Sequence, residues 1–477
     1  MNYGIILNTL GWVMNIEALC MTLPLLCAFV YKESIIPFAV AIGICLAFGL
    51  PFVIKSPKNK TFYSKEGFIT VALSWIVISF LGAVPFVVSG YIPDFVDAFF
   101  ETVSGFTTTG ASILSDVEAL PKSLIFWRSF THWIGGMGVL VFLVALLPLS
   151  GGSNMYLLKA ESPGPSVSKL VPKVKSTAKI LYVIYIAMTF IQIILLLLGG
   201  MDLFDSLTLT FGTAGTGGFG ITNSGFADYS SYVQIVCTVF MILFGIDFSV
   251  YYLIILRRFR EAFRSSEVRT YLTIIFVSVI LITSNCMSLY SSIGEALKHS
   301  AFQVGSIITT TGYSSVDFNL WPEFSKTILV ILMFIGACAG STGGGMKVSR
   351  IIILVKSIVK EAKIAVHPRA THKITMNGRL VAHETIRATN VFMVSYFIIF
   401  FLSLLIISID NMSFTTNFTA VAATINNIGP GLDMVGPTSN FGAYSPFSKL
   451  VLSFNMLLGR LEIFPLLTLF SPFTWRK

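Results

Sequence analysis

Charged residues are scarce in this chain of 477 residues: they make up 12% of positions, about half the share found in a typical soluble domain. Acidic residues are the rarer sign, with 23 Asp and Glu against 32 Lys and Arg. This low charge comes with a mean hydropathy of +0.82. Together the two values exclude an ordinary soluble cytosolic enzyme.

Histidine and cysteine, two common metal ligands, are also rare, with five and six residues. The sequence has no C-x-x-C motif, and His367, His372 and His383 share a basic loop with a spacing that fits no metal template. No Ser/His/Asp set is evident, so we expect no enzymatic activity. The six cysteines lie in or beside apolar stretches and are interpreted as small buried hydrophobes: Cys20, Cys27, Cys45, Cys237, Cys286 and Cys338.

Long apolar runs are abundant. Hydrophobic residues make up 55% of the chain, and many windows are apolar over the roughly 20 residues that a helix needs to cross a membrane. These runs are continuous, whereas a barrel would show short alternating segments, so we predict an all-α polytopic membrane protein. The predicted spans are about 4–30, 35–54, 68–89, 123–149, 178–200, 231–256, 270–290, 324–360, 388–409 and 447–471.

The basic residues are unevenly distributed along the chain. Segments 55–65, 159–179, 257–269 and 347–387 and the tail 476–477 hold 25 of the 32 Lys and Arg, and the intervening loops are acidic. This is the positive-inside pattern, which places the basic loops and both termini in the cytoplasm. The N-terminus lacks the basic region and cleavage site of a signal peptide, so a retained first span is expected. The net charge is explained by orientation in a lipid bilayer and predicts no nucleic-acid partner.

A short motif recurs four times. The segments "VDAFFETVSGFTTTGAS", "FDSLTLTFGTAGTGGFG", "HSAFQVGSIITTTGYSS" and "NFTAVAATINNIGPGL" carry Gly110, Gly218, Gly312 and Gly429, at intervals of about 100 residues. Each follows a span and is too short to cross the membrane, which is typical of a re-entrant helix. We therefore predict four tandem span–short helix–span repeats in pseudo-fourfold arrangement. The predicted units are an N-terminal hairpin (1–66) and the repeats 67–157, 158–262, 263–365 and 366–477.

The repeated loops have the chemistry of a cation filter. Non-helical backbone at membrane depth is tolerated where it lines a water-filled path, and a ring of carbonyls can replace a cation's hydration shell. Glycine permits the necessary turn, and threonine hydroxyls add uncharged oxygen ligands. The alternative is a set of glycine-rich helix packing faces. The predicted ligands of K⁺ are Thr108, Thr109, Gly110, Thr216, Gly217, Gly218, Thr310, Thr311, Gly312, Asn427, Ile428 and Gly429.

Two features inside predicted spans are candidates for controlling passage. "GACAGSTGGGMK" should break its helix, and it fails as a phosphate-binding loop because Met346 separates Gly345 from Lys347. Arg460, near the middle of the last predicted span, would be costly against lipid, so we expect it to face a central cavity and oppose cations. The alternative for the glycine-rich stretch is a simple glycine kink. The alternative for Arg460 is a structural ion pair with another helix. Glu462 is expected to pair with some other residue.

The four units, together with "HWIGGMG", "GSTGGGMK" and "GRLEIFP", resemble the Trk/Ktr/HKT superfamily of cation transporters over essentially the whole chain. Its length and N-terminal hairpin are similar to the TrkH-type members rather than the shorter KtrB-type members. The resemblance implies an intramembrane gate loop beneath the filter and gives Arg460 the role of pore barrier. The gate-loop residues are Gly340, Ser341, Thr342, Gly343, Gly344, Gly345 and Lys347.

The resemblance also carries expectations about partners. It implies potassium uptake by a homodimer in the bacterial inner membrane, controlled by a cytosolic TrkA-type regulatory subunit through which alone a nucleotide would act, with no covalently bound cofactor. The sequence departs from the family at Asp247, where an asparagine is expected. The fourth loop lacks "TTTG", so Asn426 and Asn427 make the ring asymmetric, which fits the family. A secondary transporter coupled to protons or sodium, a channel that does not separate potassium from sodium, and a receptor remain open.

Overall fold

The computed structural model describes residues 1–55, 57, 63–138, 174–368 and 372–475, and these are overwhelmingly helical. The second half of the predicted span 123–149, most of the basic loop 159–179 and the tail 476–477 lie outside the described residues. A two-stranded hairpin pairs Thr375–Met376 with Arg379–Leu380.

The helices are numbered here in chain order. They are α1 (Tyr3–Val30), α2 (Ile36–Ile54), α3 (Ser64–Gly82), α4 (Val84–Ser89), α5 (Phe95–Phe106), α6 (Lys122–Gly136), α7 (Val174–Leu198), α8 (Leu203–Gly215), α9 (Ser231–Phe244), α10 (Phe248–Ile255), α11 (Phe259–Ala262), α12 (Ser266–Cys286), α13 (Ile293–Ile308), α14 (Glu323–Ile335), α15 (Val348–Val366), α16 (His383–Ile407), α17 (Phe414–Ile425), α18 (Pro446–Arg460), α19 (Phe464–Phe470) and α20 (Pro472–Trp475). Four 3₁₀ turns are Met287–Leu289, Phe318–Leu320, Ser408–Asp410 and Asp433–Val435.

Six described helices are long and apolar enough to cross a membrane, and α9 with α10 makes a seventh candidate if that bent pair is one span. These seven correspond to seven of the ten predicted spans. Of the others, 123–149 runs out of the described residues, and 324–360 and 447–471 are each divided between two helices. The all-α membrane architecture predicted from composition is therefore present.

The long helices present apolar side chains outward. On α7, Phe190, Ile194 and Leu198 recur every four residues and are 60%, 54% and 75% exposed. Tyr185, on another face of the same helix, is fully buried. Because exposed apolar stripes of this size are costly in water, the outer surface suits a hydrocarbon environment.

Four short helices lie inside the molecule: α5, α8, α13 and α17 have 12, 13, 16 and 12 residues. At 1.5 Å per residue they are shorter than the ~30 Å hydrocarbon core. Each begins with a side-chain cap, in which Asp94, Asp202, Ser292 or Ser413 accepts a hydrogen bond from a backbone N–H of the first turn. The caps fix where each short helix starts, and most of each helix is buried.

Two predicted spans are broken in the structure, and both breaks lie next to residues of the candidate site. The span 231–256 bends by 92° between α9 and α10, and Cys338 and Gly340 of another segment bond to the backbone at that break. The span 447–471 ends its first helix at Arg460, because Glu462 and Ile463 adopt positive φ values of 55° and 69°. Arg460 therefore lies at the end of a helix rather than inside a continuous one, and Glu462 lies in the break that follows it.

Candidate functional site

The four short helices all end in the same backbone motif. At the end of α5 the N–H of Thr108 donates to the carbonyl of Gly105 at 3.1 Å, and that of Thr109 donates to Ser104 at 2.8 Å. The corresponding two bonds occur at the ends of α8, α13 and α17. This is the Schellman motif, which requires a left-handed residue after the helix cap. That residue is Thr108, Thr216, Thr310 or Asn427, with φ between 55° and 59°.

Threonine is an unusual choice for this position because its branched Cβ disfavours left-handed backbone. It nevertheless occupies the position in three of the four motifs. Each such residue is fully buried. Strained conformations of this kind persist where the surrounding structure imposes them, and they cluster at functional sites.

A glycine with positive φ follows two residues later in each loop, at Gly110, Gly218, Gly312 and Gly429. We refer to the segments 107–113, 216–222, 309–316 and 426–432 as loops 1 to 4. A Cβ on Gly110 would collide with the carbonyl oxygen of Gly217, and one on Gly218 with that of Thr311. One on Gly312 would collide with Ile428, and one on Gly429 would lie 2.8 Å from the carbonyl oxygen of Thr109. The loops therefore contact one another in cyclic order, and loop 4 returns to loop 1.

The backbone of each loop alternates in handedness, because the residue between the left-handed pair, such as Thr109 between Thr108 and Gly110, does not have positive φ. Alternation of this kind turns successive peptide planes so that neighbouring carbonyls can face the same side. The threonine side chains of these positions are fully buried, whereas Gly110, Gly218 and Gly312 are partly accessible and Gly429 is buried. The backbone at these three glycines is therefore not fully enclosed by the neighbouring loops.

Side chains tie the loops together. Asn427 of loop 4 donates from Nδ2 to Thr109 Oγ1 of loop 1 at 2.9 Å and to the carbonyl of Met456 at 2.9 Å. Within loop 1, Thr109 and Thr107 pair their hydroxyls at 2.8 Å. The hydroxyl of Tyr313 in loop 3 donates to the carbonyl of Leu209 in α8 at 3.0 Å. The side chain of Asn427 thus joins loop 4 to loop 1.

The segments that leave the loops contact one another in the same cyclic order. Between repeats one and two, Asn223 accepts from the N–H of Val117 and donates to Asp116 Oδ1, both at 2.8 Å. That hydrogen bond from Asn223 holds the pKa of the Asp116 carboxyl below its ordinary value. The remaining junctions are Phe226 N–H to Ser314 O at 2.8 Å, Asp433 N–H to Asn319 Oδ1 at 3.0 Å and Phe441 N–H to Ser112 O at 2.8 Å.

The glycine-rich segment 336–347 lies between α14 and α15, against the ends of two short helices. The N–H of Gly344 donates to Thr310 Oγ1 at 2.5 Å, and that of Gly345 donates to the carbonyl of Asn426 at 3.0 Å. Gly336, Gly340 and Gly345 have positive φ values of 73°, 78° and 75°. The segment therefore leaves the helical conformation and contacts loops 3 and 4 on the side of their helix ends. Its other predicted members, Ser341, Thr342, Gly343 and Lys347, are buried in the same stretch, and Lys347 Nζ donates to the carbonyl of Gly343.

Glu267 of α12 anchors both ends of this segment. Its Oε1 accepts the N–H of Ala339 at 2.7 Å and the N–H of Ser349 at 3.0 Å. Asp247, the residue that departs from the family pattern, lies beside Gly340 and caps α10 by accepting from the N–H of Ser249 at 2.9 Å. It is thus placed at the glycine-rich segment rather than in the ring of loops.

Arg460 connects the glycine-rich segment to α6. Its guanidinium donates to the carbonyls of Gly135 at 2.5 Å and Gly136 at 2.7 Å, which are at the C-terminal end of α6. It also donates to the carbonyl of Thr342 at 2.9 Å. A cation suits a helix C-terminus because unpaired carbonyls and the helix dipole are both negative there. Glu462 pairs with Arg350 of α15 at 2.5 Å, so its expected pairing with another residue is confirmed.

Sequence reasoning missed the side chains that brace the loops from behind. His132 of α6 bonds through Nδ1 to the carbonyl of Gly105 at 2.8 Å and accepts at Nε2 from the N–H of Phe219 at 3.3 Å. These partners fix the neutral tautomer with the proton on Nδ1. His132 lies in the quoted motif "HWIGGMG", so its position was visible in the sequence, but its partners were not.

Three comparisons with known proteins agree with one another. A family model described as "TrkH: Cation transport protein" matches residues 36–477. The chain is 35% identical over its full length, and over all of the relative, to "Trk system potassium uptake protein TrkH" of Escherichia coli (strain K12). It is 33% identical to TrkG of the same strain, with 99% of each chain covered. The crystal structure of the potassium transporter TrkH from Vibrio parahaemolyticus matches 100% of both chains at 31% identity, with a TM-score of 0.90.

Proposed function

Because this chain belongs to the TrkH family of cation transport proteins, we propose that it takes up potassium ions through a transmembrane pore. Relatives that cover the whole chain are named as potassium uptake proteins. The single observation that carries the proposal is the closed ring of four loops, in which each glycine packs against a carbonyl of the next loop. A ring of backbone carbonyls is the established means of selecting a dehydrated cation.

The filter we propose consists of the three residues from the left-handed position to the glycine of each loop. These are Thr108 to Gly110, Thr216 to Gly218, Thr310 to Gly312 and Asn427 to Gly429. Their carbonyl oxygens, with the threonine hydroxyls, are the proposed ligands of K⁺. The C-terminal ends of the four short helices lie next to them and direct partial negative charge toward the ion. The four units 67–157, 158–262, 263–365 and 366–477 then contribute one quarter of the filter each.

The glycine-rich segment is the proposed gate, and Arg460 is the proposed barrier. The segment bonds directly to Thr310 and Asn426 at the base of the ring, so a cation leaving the filter would meet it. Arg460 holds that segment through Thr342 and adds a fixed positive charge at the same level. Conduction then requires the segment to move away from the ring.

The resemblance to the family supports a proposal for the setting and control of the protein. We place the chain in the inner membrane of a bacterium, with both termini cytoplasmic, and as a homodimer. A cytosolic TrkA-type subunit would bind the nucleotide and move the gate. The basic segment between α10 and α12, which includes the exposed Arg257 and Arg258, lies on the side where such a subunit would dock.

Uptake of ⁸⁶Rb⁺ into liposomes that contain the purified protein tests the proposal, with K⁺ and Na⁺ as competitors. We expect K⁺ to compete and Na⁺ to compete weakly, and Gly110→Ser to abolish this preference because its side chain would collide with loop 2. Gly90→Ser is the matched control: Gly90 also has positive φ, at 77°, but a Cβ there meets nothing within 4 Å. Absence of Rb⁺ flux, or flux unaffected by Gly110→Ser, would overturn the proposal.

A further inference from the structure

A buried ion pair lies directly behind loops 1 and 2. Glu101 of α5 and Arg128 of α6 meet at 2.5 Å, and their side chains are 0% and 3% exposed. Two charges so completely removed from solvent are costly unless their remaining hydrogen-bonding capacity is also satisfied. In this pair it is satisfied by the backbone that immediately follows two of the four loop glycines.

Glu101 holds the chain after Gly110. Its carboxylate accepts the N–H of Ile113 at 3.0 Å and the hydroxyl of Ser112 at 3.0 and 3.1 Å. The Ser112 hydroxyl in turn accepts the N–H of Leu114 at 3.1 Å. The exit of loop 1 is therefore fixed to its own short helix through one carboxylate.

Arg128 holds the chain after Gly218. Its Nη1 donates to the carbonyl of Gly220 at 2.8 Å, and its guanidinium lies 3.7 Å from the centre of the Phe219 ring. Its Nε is the atom that meets Glu101. One planar guanidinium thus connects Glu101, which holds loop 1, to the backbone of loop 2. Lysine carries a single ammonium group and would make these two contacts less well.

The other repeats use this position differently. Glu101 lies nine residues before its loop glycine, and Gln303 occupies the same position before Gly312. Gln303 donates to Ser314 Oγ at 3.2 Å and to the carbonyl of Val316 at 3.3 Å, which is a neutral version of the same brace. The equivalent residues before Gly218 and Gly429 are Leu209 and Ala420, which have no polar group to offer. The charged brace is therefore particular to the junction of loops 1 and 2.

We propose that Glu101 and Arg128 are positioning residues that set the separation of loops 1 and 2 and thereby the preference of the filter for potassium over sodium. This inference rests on the proposed function. Neither residue touches the ion in this scheme. They act through the backbone at Ser112, Ile113 and Gly220, immediately after the carbonyls that face the axis. A rigid separation matters because a looser ring can contract around the smaller sodium ion.

The isosteric change Glu101→Gln tests the pair without creating a cavity. Each carboxylate oxygen of Glu101 accepts from an N–H group, Oε1 from Arg128 Nε and Oε2 from Ile113, so an amide places its own NH₂ against a donor in either orientation. Arg128 also loses its counter-charge. We expect the K⁺/Na⁺ permeability ratio to fall about tenfold, the size expected from losing one charge-assisted hydrogen bond.

Permeability ratios would be measured from reversal potentials of the protein reconstituted in planar bilayers, together with its thermal unfolding temperature in detergent. Arg128→Lys keeps the positive charge but lacks the planar guanidinium that reaches both Glu101 and Gly220. We expect it to reduce the K⁺/Na⁺ permeability ratio as well. Glu323→Gln is the control, because it removes a carboxylate that is 87% exposed and that pairs with Lys326 of its own helix. It should leave the ratio unchanged.

The outcomes separate this inference from the proposed function. A wild-type protein that does not conduct K⁺ would overturn the proposed function and this inference with it. A selective wild type whose ratio survives both Glu101→Gln and Arg128→Lys, even with a lowered unfolding temperature, would overturn the positioning role alone and leave a purely structural pair. A reduced ratio in folded variants, with Glu323→Gln unaffected, supports it.

Discussion

The guanidinium of Arg460 donates to the carbonyl oxygen of Thr342 at 2.9 Å, which joins the end of α18 to the glycine-rich segment. The two residues are 118 positions apart in the chain. The same guanidinium bonds to the end of α6, so a single side chain connects three parts of the molecule at the base of the ring. The charge of Arg460 and its bond to the glycine-rich segment are therefore two separable contributions to the proposed barrier.

Arg460→Ala is expected to raise cation flux roughly fivefold, equivalent to about 1 kcal/mol, because both the positive charge and the bond to Thr342 are lost. Arg460→Lys keeps the charge but reaches fewer of the three carbonyls. An intermediate flux is expected for it. Rb⁺ uptake into liposomes at matched protein content is the measurement. Equal flux in wild type and Arg460→Ala would refute the barrier role.

Gly344→Ala should displace the gate segment from the ring. A Cβ there would lie 2.5 Å from the carbonyl oxygen of Asn426 and 3.1 Å from Cβ of Asn427, both of them on loop 4. Because the added methyl group is on the segment and points at the backbone of loop 4, we expect the segment to move away from the loop and flux to increase. Gly43→Ala in α2, where a Cβ meets nothing within 4 Å, is the control. Lower flux in a folded Gly344→Ala protein would contradict the gate assignment.

Glu267→Ala should loosen the same segment at both ends. It leaves the buried N–H groups of Ala339 and Ser349 without their acceptor, each at a cost of about 1–3 kcal/mol. Glu267→Gln retains a carbonyl oxygen that can accept both bonds, so it should behave like the wild type. Flux and hydrogen exchange at residues 336–349 would be compared between the two variants. If alanine and glutamine variants behave alike, the anchoring role fails.

Glu462→Ala is expected to destabilise the protein, because it leaves Arg350, 7% exposed, without its carboxylate partner. Since the Glu462 side chain is 22% exposed, we expect a loss of about 1–3 kcal/mol rather than the larger cost of a fully buried pair. The double variant Arg350→Met, Glu462→Met should recover part of the stability lost in Glu462→Ala, because it leaves neither charge of the pair buried without the other. The measurement is the detergent unfolding temperature. A double variant less stable than Glu462→Ala would contradict this account.

Much of the architecture was predictable from residues that act locally. Composition and charge placement predict an all-α membrane protein, and the spacing of Gly110, Gly218, Gly312 and Gly429 reveals the repeated short helix and loop. The all-helical membrane fold and the family resemblance are both confirmed by the matching family and structure. The assignment of the twelve loop residues as ligands of K⁺ stays a prediction.

The helix breaks were harder to predict, because only some of them occur at residues whose own conformational preference ends a helix. The segment 336–347 is rich in glycine, so the sequence already predicted a break in the helix there. By contrast, Ile463 is β-branched and still adopts positive φ, at a break where Glu462 bonds to Arg350 of another helix. The bend after Phe244 similarly coincides with bonds from the glycine-rich segment to Gly245 and Phe248.

The sequence by itself determined which segments are helical, which are too short to cross a membrane, and where glycine and threonine recur, because these depend on local composition and conformational preference. The tertiary structure alone decided that the loops meet in cyclic order, that Arg460 reaches Thr342, and that Glu101 and Arg128 brace two neighbouring loops. Those relationships join residues up to several hundred positions apart, and their energy comes from packing and desolvation that exist only once the chain has folded.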